Sequence, residues 1–507
     1  MSQGSYSLGS NAQAGDVFLF AVAGSASDSC IANFGQREWA FAAPSGYKAL
    51  NTASLPTPTI PDGSTAFDAV TYAGTDSAQT ISGLNLSPDF LWLKNRTVGT
   101  HHLLYDTVRG HTKYLQSSVA GTESTHSSTV DLTGFTSDGF TLGGNVAGAN
   151  RSSSNNIAWA WDAGANSSKT YTVKVVSDSG NKYRFDDFGT SAVTLDLEEG
   201  STYVFDQSDS SNSGHPLRFS TTSDGTHNSG TEYTTGVTTT GTPGSSGAKT
   251  TIVVAASAPT LYYYCSAHSG MGGQANTNST AGASNFDGSI QSTVKANQTA
   301  GFSIVSFTGN QTASATVGHG LNAAPELIII KNRDVAWDWL VGHEALGWTK
   351  YIQLSQLNSA TTSSTIWTNT APTSSVFTLG SNPRSNDNTE PHIAYCFAPV
   401  AGYSAFGKFT SNNSTDNAFV YLGFRPRFLI IKGNYSTGSW YLIDTERDPD
   451  NIAEEILKAE TSAAEATSGL VDVLSNGFKF RFNLGTNEVL YMAWAENPFQ
   501  ANGGLAR

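Results

Sequence analysis

The sequence predicts an all-β, multi-domain protein built from three divergent copies of one module and one inserted domain of different character. Short apolar runs alternate with clusters of Asn, Ser, Thr and Gly, which is the pattern of strands joined by turns. One apolar run recurs three times with the same proline and lysine at its ends. A length of 507 residues also exceeds what one hydrophobic core supports, so several domains are expected.

The composition narrows the classes of function. Asp, Glu, Lys and Arg make up 13% of the residues, against about a quarter in an average soluble protein, so hydroxyl and amide groups must keep the surface soluble. The formal net charge is −14 and Lys and Arg do not cluster, which predicts that nucleic acid is not a partner. A signal-peptide pattern and a long apolar stretch are both missing, and we expect no membrane insertion.

The repeated module is recognised by one strand and by the residues after it. Each copy has a proline, an apolar run and a lysine, in the windows Pro88–Lys94, Pro325–Lys331 and Pro426–Lys432. After each lysine come, in order, a ring and a carboxylate, at His102 and Asp106, Trp339 and Glu344, and Trp440 and Asp444. Each copy closes on Ala158-Trp159, Ala394-Tyr395 or Ala493-Trp494. This shared order indicates three compact β-sandwiches, each expected to fold independently.

These patterns divide the chain into five segments. We expect an N-terminal segment at 1–62, module 1 at 63–163, an inserted domain at 164–280, module 2 at 281–401 and module 3 at 402–507. One local exception to the strands is expected in module 3. Between Asp450 and Ala466, Ile452, Ile456 and Leu457 fall at helical spacing among Glu and Ala, which predicts a helix inserted in a loop.

Two sets of repeated side chains have both a structural and a functional interpretation. For Lys94, Lys331 and Lys432, a structural ion pair with the downstream acid or a solvated strand end is favoured over a functional role. Trp339 and Trp440 are more often core residues than ligand contacts. Exposed rings would nevertheless suit a carbohydrate-binding face, so both tryptophans are candidate ligand-binding residues.

The inserted domain contains a set of side chains typical of a metal site. His215 stands alone upstream, and Cys265, His268 and Met271 come within a few residues of one another at the end of an aromatic strand. This is the ligand order of a type 1 copper site, in which thiolate and imidazole form a trigonal plane and a thioether gives a weak axial contact. The glycines after Cys265 would let a tight turn bring His268 and Met271 to the same side.

The inserted domain resembles the cupredoxin family, which has a short Cys-x-x-His-x-x-Met loop of this kind. The resemblance implies a Greek-key β-barrel with copper held by His215, Cys265, His268 and Met271. Many cupredoxins have proline before the second histidine, where this chain has Ala267, which leaves the loop less rigid but removes no ligand. Zinc in the same site, or a barrel that keeps the ligands without metal, stays an alternative. Electron transfer is the weaker expectation.

The N-terminal segment resembles the closing strands of a SPRY-type β-sandwich from tail fibre-like proteins of marine tailed bacteriophages, especially cyanophages. The residues that carry this resemblance are Asn33–Arg37 and Pro44–Asn51. The three modules resemble the repeated domain that comes after it in those proteins. The resemblance implies a virion protein, most often a tail fibre or fibre-associated receptor-binding protein, with homotrimers, other tail proteins and a host surface glycan or protein as partners.

Other functions stay open on the sequence alone. A capsid or tail decoration protein, a polysaccharide depolymerase and a copper oxidoreductase are the alternatives. The sequence has no Gly-x-Ser-x-Gly elbow, no His-Glu-x-x-His helix and no phosphate-binding glycine loop. A pair of carboxylates for glycoside hydrolysis meets only in space, so sequence does not test for it. We therefore expect a non-enzymatic protein.

Overall fold

A computed structural model describes residues 57–165, 167–277 and 281–499 of the chain. These residues are mostly strands and turns, with one short α-helix, so the predicted all-β class is confirmed. The N-terminal resemblance at Asn33–Asn51 lies outside the described residues. Among the described residues, no helix has the length and apolar character needed to cross a bilayer.

Within the described residues, module 1 and the inserted domain each contain nine strands. The strands of module 1 are β1 (Phe67–Ala73), β2 (Gln79–Ser82), β3 (Phe90–Asn95), β4 (Leu103–Asp106), β5 (Lys113–Tyr114), β6 (Ser124–Thr125), β7 (Leu132–Thr136), β8 (Gly139–Leu142) and β9 (Asn155–Trp161). The strands of the inserted domain are β10 (Lys169–Ser177), β11 (Asn181–Phe185), β12 (Leu195–Asp196), β13 (Thr202–Asp206), β14 (Leu217–Ser220), β15 (Val237–Thr240), β16 (Lys249–Val253), β17 (Leu261–Cys265) and β18 (Gly273–Asn276).

Modules 2 and 3 continue the chain. Module 2 contains β19 (Ala283–Asn285), β20 (Ser292–Asn297), β21 (Phe302–Thr308), β22 (Ala315–Gly318), β23 (Leu327–Asn332), β24 (Leu340–His343), β25 (Lys350–Gln353), β26 (Thr361–Thr362), β27 (Val376–Leu379), the helix α1 (Pro383–Asn386) and β28 (Pro391–Phe397). Module 3 contains β29 (Ser404–Thr410), β30 (Phe419–Tyr421), β31 (Phe424–Gly433), β32 (Trp440–Asp444), β33 (Ala453–Lys458), β34 (Ala466–Leu474), β35 (Gly477–Phe480) and β36 (Glu488–Pro498).

The three modules share one sheet order. The proline-to-lysine strand always lies between the last strand of its module and the strand after it in sequence, in the orders β1-β9-β3-β4, β21-β28-β23-β24 and β29-β36-β31-β32. All of these pairings are antiparallel. The common order means that residues of different modules can be equated by strand register.

The register corrects the expected equivalence of the carboxylates. Phe90 pairs with Asp106 and Phe428 with Asp444, but the equivalent Leu327 pairs with His343. Module 2 therefore has a histidine at the position of the carboxylate, and Glu344 lies one residue further on.

The closing aromatic residues also shift by register. Trp159 and Tyr395 are equivalent, and module 3 has Met492 at this position because Met492 pairs with the same residue of the central strand. Trp494 is instead the equivalent of Trp161. Module 3 thus has no hydrogen-bond donor in the side chain where modules 1 and 2 have one.

The three modules share a hydrophobic core, which corrects the expectation that each module folds independently. In β3 and β23, alternate residues enter two different cores. In β3, Phe90 and Trp92 belong to a core shared by all three modules, whereas Leu91 and Leu93 belong to the core of module 1. All six residues of β3 and of β23 are buried because each strand has a core on both faces.

The shared core is centred on one residue from each module. Trp161, Phe397 and Trp494 are equivalent by register, and their ring centroids lie 6.3, 5.5 and 5.3 Å apart in pairs. Each ring therefore contacts both others, as expected around an approximate threefold axis. The three modules form one body, with each central sheet facing this axis.

The expected helix of module 3 is wrong. Residues 453–458 form the strand β33, in which Leu457 pairs with Leu442 and Lys458 with Tyr441. The Glu and Ala content favours a helix locally, but pairing with β32 satisfies the backbone and buries Leu457. Tertiary pairing therefore overrides local propensity.

The inserted domain is a two-sheet β-barrel attached to the body by one end. Its sheets have the strand orders β11-β10-β13-β16-β15 and β12-β18-β17-β14. The Lys295 ammonium of module 2 lies 2.7 Å from Glu198 of the insert and 3.5 Å from Asp89 of module 1. Gln291 also donates to the Thr194 carbonyl at 2.7 Å. These contacts lie at the end of the barrel opposite the Cys265 end of β17.

Candidate metal centre

Strand register brings two distant parts of the inserted domain together. Cys265 ends β17 and pairs with Leu217, the first residue of β14. His215 lies two residues before Leu217, so it reaches the same end of the barrel. The Ser266 N–H donates to the Pro216 carbonyl at 3.0 Å, which extends the contact past the strands.

The structure brings His215, Cys265 and His268 into one cluster. The Cys265 Sγ lies 3.9 Å from His215 Nδ1 and 3.8 Å from His268 Nδ1. The two imidazole centroids are 4.6 Å apart. Within the described residues, this is the one group of three His, Cys, Asp or Glu side chains that converges closely enough to hold a metal ion.

The loop after Cys265 returns because of its glycines. Gly270 has a φ of +71°, a conformation that side chains with a Cβ rarely adopt. A Cβ on Gly272 would lie 1.7 Å from the Tyr263 carbonyl oxygen, so the chain can pass this closely only with glycine. The Gly270 N–H donates to Asp224 at 2.8 Å, and its carbonyl accepts from Lys182. These contacts fix the loop that carries His268 and Met271.

The spacing of the three donor atoms fits a metal ion. With metal–sulfur and metal–nitrogen bonds of about 2.3 and 2.0 Å, sulfur and nitrogen are about 3.7 Å apart at a trigonal angle and about 3.5 Å apart at a tetrahedral angle. The observed separations of 3.9 and 3.8 Å are nearer the trigonal value. Soft thiolate combined with imidazole in this arrangement is the donor set that copper prefers.

Met271 is a buried residue of the barrel interior. Its side chain belongs to the same hydrophobic cluster as Cys265. Cys265 is also buried, whereas His268 is exposed and His215 is intermediate. A metal ion held here would be shielded from water on one side and reached from solvent on the side of His268.

Two further contacts hold the candidate ligands. Gln207 donates from Nε2 to the His215 carbonyl at 2.9 Å, and exposed His227 lies with Nε2 2.9 Å from the Cys265 carbonyl oxygen. Burial, and then the neighbouring His268, lower the pKa of His215. The neutral imidazole that results is the form that binds metals. Gln207 lies eight residues before His215, and His227 lies in the short 3-10 helix Gly225–Asn228. No spacing in the sequence points to either residue.

Trp339 and Trp440 do not form a ligand-binding face, which corrects that prediction. Both side chains are buried, and their indole N–H groups donate to backbone carbonyls of the preceding module in the chain. Trp339 donates to Gln116 at 2.8 Å and Trp440 donates to Gln353 at 3.0 Å. Buried rings of this kind offer no surface on which a sugar can stack. They stabilise the contacts between modules.

The repeated lysines are neither ion pairs with the downstream acid nor solvated. Lys94, Lys331 and Lys432 are buried and donate to carbonyl oxygens, as Lys94 does to Asn95 at 2.8 Å and Lys331 to Asn332 at 2.7 Å. Burial lowers the pKa of each of the three to about 8. Each lysine therefore satisfies carbonyl groups at the end of a strand, which is a structural role.

The fold and the site define an all-β protein in which three modules form one body and an inserted barrel carries a candidate metal centre. The chain belongs to the family described as "Domain of unknown function (DUF7483)", whose model matches residues 62–186 and 273–498. Neither a curated protein nor a solved structure matches the chain. All four candidate ligands lie between the two matched segments, so the family match does not account for the metal centre.

Proposed function

We propose that the inserted domain binds one copper ion through His215, Cys265 and His268, with Met271 as a weak fourth contact. The observation that carries the proposal is the convergence of one sulfur and two imidazole nitrogens, at 3.8 and 3.9 Å from the sulfur, from chain segments about fifty residues apart. The donors lie at the free end of the barrel, away from its contacts with the body.

Copper in such a site supplies reversible one-electron chemistry when it is bound. The residues of the chain create the conditions for it. Cys265 is buried, which keeps water from the sulfur, and the lowered pKa of His215 keeps its ring nitrogen free to bind. His268 is exposed and forms the edge of the site that a soluble redox partner would reach.

Zinc is the alternative ion, and spectroscopy separates the two. Full-length protein is titrated with Cu(II) and with Zn(II), and the absorption spectrum is recorded. Copper bound to the Cys265 thiolate should give an intense visible charge-transfer band, which Zn(II) does not produce. Cys265→Ser should abolish the band. A colourless wild-type protein, or a band that survives Cys265→Ser, would refute the proposal.

Cys396 provides a matched control for the thiol. It is also a free, buried cysteine, but it lies in module 2. Cys396→Ala should leave the visible band unchanged, which shows that the band reports the site and not thiols in general. Copper competition measured with a chelator gives the affinity in the same experiment.

We also propose that the protein is a structural, non-enzymatic virion protein, a tail fibre or fibre-associated protein that binds a host surface glycan or protein. The resemblance of the N-terminal segment and of the modules supports this proposal. A single body with a shared core is also suited to a rigid appendage. Homotrimer formation remains an expectation of the fibre class.

A pair of exposed rings in module 3 favours a binding role. Phe419 and Tyr421 on β30 are 48% and 61% exposed and point to the same face of the sheet. At the equivalent positions, module 1 has Thr80 and Ser82 on β2. Module 2 likewise has a threonine and a glycine there. Exposed aromatic rings on a polar sheet are suited to stacking on sugar rings, and module 3 has them at positions where modules 1 and 2 do not.

Binding of labelled protein to marine cyanobacterial cells tests this second proposal. Saturable adsorption that falls for the variant Phe419→Thr/Tyr421→Ser supports receptor binding through module 3. Thr80→Ala in module 1 is the matched control and should adsorb normally. Release of reducing sugar from the cells would instead support a depolymerase. A protein that neither adsorbs nor releases sugar would point to a decoration protein.

A further inference from the structure

One buried tyrosine contacts two of the four residues that carry candidate ligands. Tyr183 lies on β11, a strand that contributes no ligand, and its side chain is buried. Its backbone N–H donates to the Met271 carbonyl at 3.0 Å. Its hydroxyl donates to the His215 carbonyl at 2.9 Å.

These contacts tie the ligand segments to the opposite sheet. His215 precedes β14 and Met271 follows β17, two strands that pair with each other, whereas β11 belongs to the other sheet. The Tyr183 ring is held by the barrel core, where its centroid lies 6.4 Å from that of Tyr263. A rigid aromatic ring in a packed core can therefore fix the ligand segments before any ion enters.

The hydroxyl acts on the site through His215. Its hydrogen bond to the His215 carbonyl fixes the segment that carries the imidazole, so removal of the hydroxyl should change where the ring nitrogen lies relative to the Cys265 sulfur. Hydrogen bonds that orient the ligands of a copper site tune its potential, so the reduction potential should change as well.

We propose that Tyr183 is a positioning residue of the copper site, which holds the segments of His215 and Met271 in place and, through the hydrogen bond of its hydroxyl to the His215 carbonyl, tunes the reduction potential of the bound ion. This inference rests on the proposed copper binding. The functional claim concerns the hydroxyl group, because the ring itself is part of the barrel core.

The test compares Tyr183→Phe with Tyr263→Phe in the full-length protein. Tyr263 is a second buried tyrosine of the same core, and its hydroxyl donates to the Val193 carbonyl at 2.6 Å instead of to a ligand residue. Tyr183→Phe should bind Cu(II) about tenfold more weakly and shift both the charge-transfer band and the reduction potential. Tyr263→Phe should keep the wild-type band and potential.

The outcomes separate the two proposals. Melting of the metal-free variants measures the structural loss, and we expect the two variants to melt at similar temperatures. Equal bands and potentials in both variants would overturn the role of Tyr183 and leave copper binding intact. A wild-type protein that takes up no copper would overturn the copper proposal itself, and this inference with it.

Discussion

The three contacts between modules have the same architecture but not the same chemistry. At the contact of module 1 with module 3, and at that of module 2 with module 1, a buried aspartate of one module accepts a hydrogen bond from an aromatic side chain of the other. Trp159 donates to Asp444 at 2.9 Å, and Tyr395 donates to Asp106 at 2.8 Å. The contact of module 3 with module 2 has no such pair, since Met492 cannot donate.

The side chains around the aspartate also differ between the contacts, and they differ together. At the two charged contacts, an arginine three residues after the aspartate, Arg109 or Arg447, binds it at 2.6 Å. Each arginine also binds a glutamate that pairs with an arginine of the neighbouring module. At the third contact, Leu346 takes the arginine position, and His343 lies with Nε2 3.4 Å from the Tyr491 carbonyl.

This difference indicates that the buried aspartate and its arginine are either both present or both absent at a contact between modules. An aspartate without its arginine would be a buried charge without a partner, which is strongly unfavourable, whereas leucine and neutral histidine in the same place leave no charge to satisfy. The architecture of the body therefore depends on shape and apolar contact, and the charges are one of two workable ways to fill the contact.

The largest loss of stability is expected when one of the two charged contacts loses its arginine. Arg447→Leu copies the third contact at one position only and leaves Asp444 buried without its main partner. We expect a loss of about 3–5 kcal/mol in the free energy of unfolding, measured by urea denaturation followed by tryptophan fluorescence. Asp444→His/Arg447→Leu should recover part of the loss. Arg481→Leu, at a more exposed pair, is the control and should cost less than about 1 kcal/mol.

The third contact should respond to acid through His343. Burial lowers the pKa of His343 to about 4, below the value of about 6.5 expected in the unfolded chain. The unfolded chain binds the proton more readily, so this contribution to stability is lost as pH falls from about 6.5 to about 4. At about 1.4 kcal/mol per pKa unit, the loss reaches about 3 kcal/mol.

A substitution isolates this contribution. His343→Asn should flatten the decline in melting temperature between pH 6.5 and 4, since Asn keeps an acceptor for the Ala345 N–H without a proton to bind. His227→Asn, at an exposed histidine, should leave the decline unchanged. Identical pH profiles for His343→Asn and the wild type would show that the third contact is not the acid-sensitive one.

The indole N–H groups that donate to backbone carbonyls should contribute equally to stability at charged and uncharged contacts. Trp339→Phe at the contact with module 1 and Trp440→Phe at the contact with module 2 each remove one indole N–H from a carbonyl. We expect about 1–2 kcal/mol for either variant in the same denaturation experiment. A much larger loss at one contact would mean that the contacts differ in packing as well as in charge.

The smallest effect on stability is expected outside the contacts between modules. Phe419→Thr/Tyr421→Ser changes two exposed rings to the types found in module 1, and stability should change by less than about 0.5 kcal/mol. Adsorption to cells should nevertheless fall. A clear loss of stability would show that β30 is covered in the folded protein and would count against its role as a binding surface.

Local sequence patterns were sufficient for the repeated strand and for the ligand loop. The run from Pro325 to Lys331 predicts a strand that is buried on both faces or lies at the centre of a sandwich, and the spacing of Cys265, His268 and Met271 predicts donors in one turn, because both depend on neighbours in the chain. The helix expected at 450–466 was wrong because β32 supplies a pairing partner that local spacing does not contain.

The sequence by itself determined the all-β class, the threefold repetition and the set of candidate metal-ligand side chains, since strand periodicity and donor chemistry are properties of short segments. Only the tertiary structure decided that the modules close around Trp161, Phe397 and Trp494, that Trp339 and Trp440 are buried between modules, and that Tyr183 contacts the segments of the candidate ligands His215 and Met271. These facts depend on which faces meet, and that is settled by packing between segments distant in sequence.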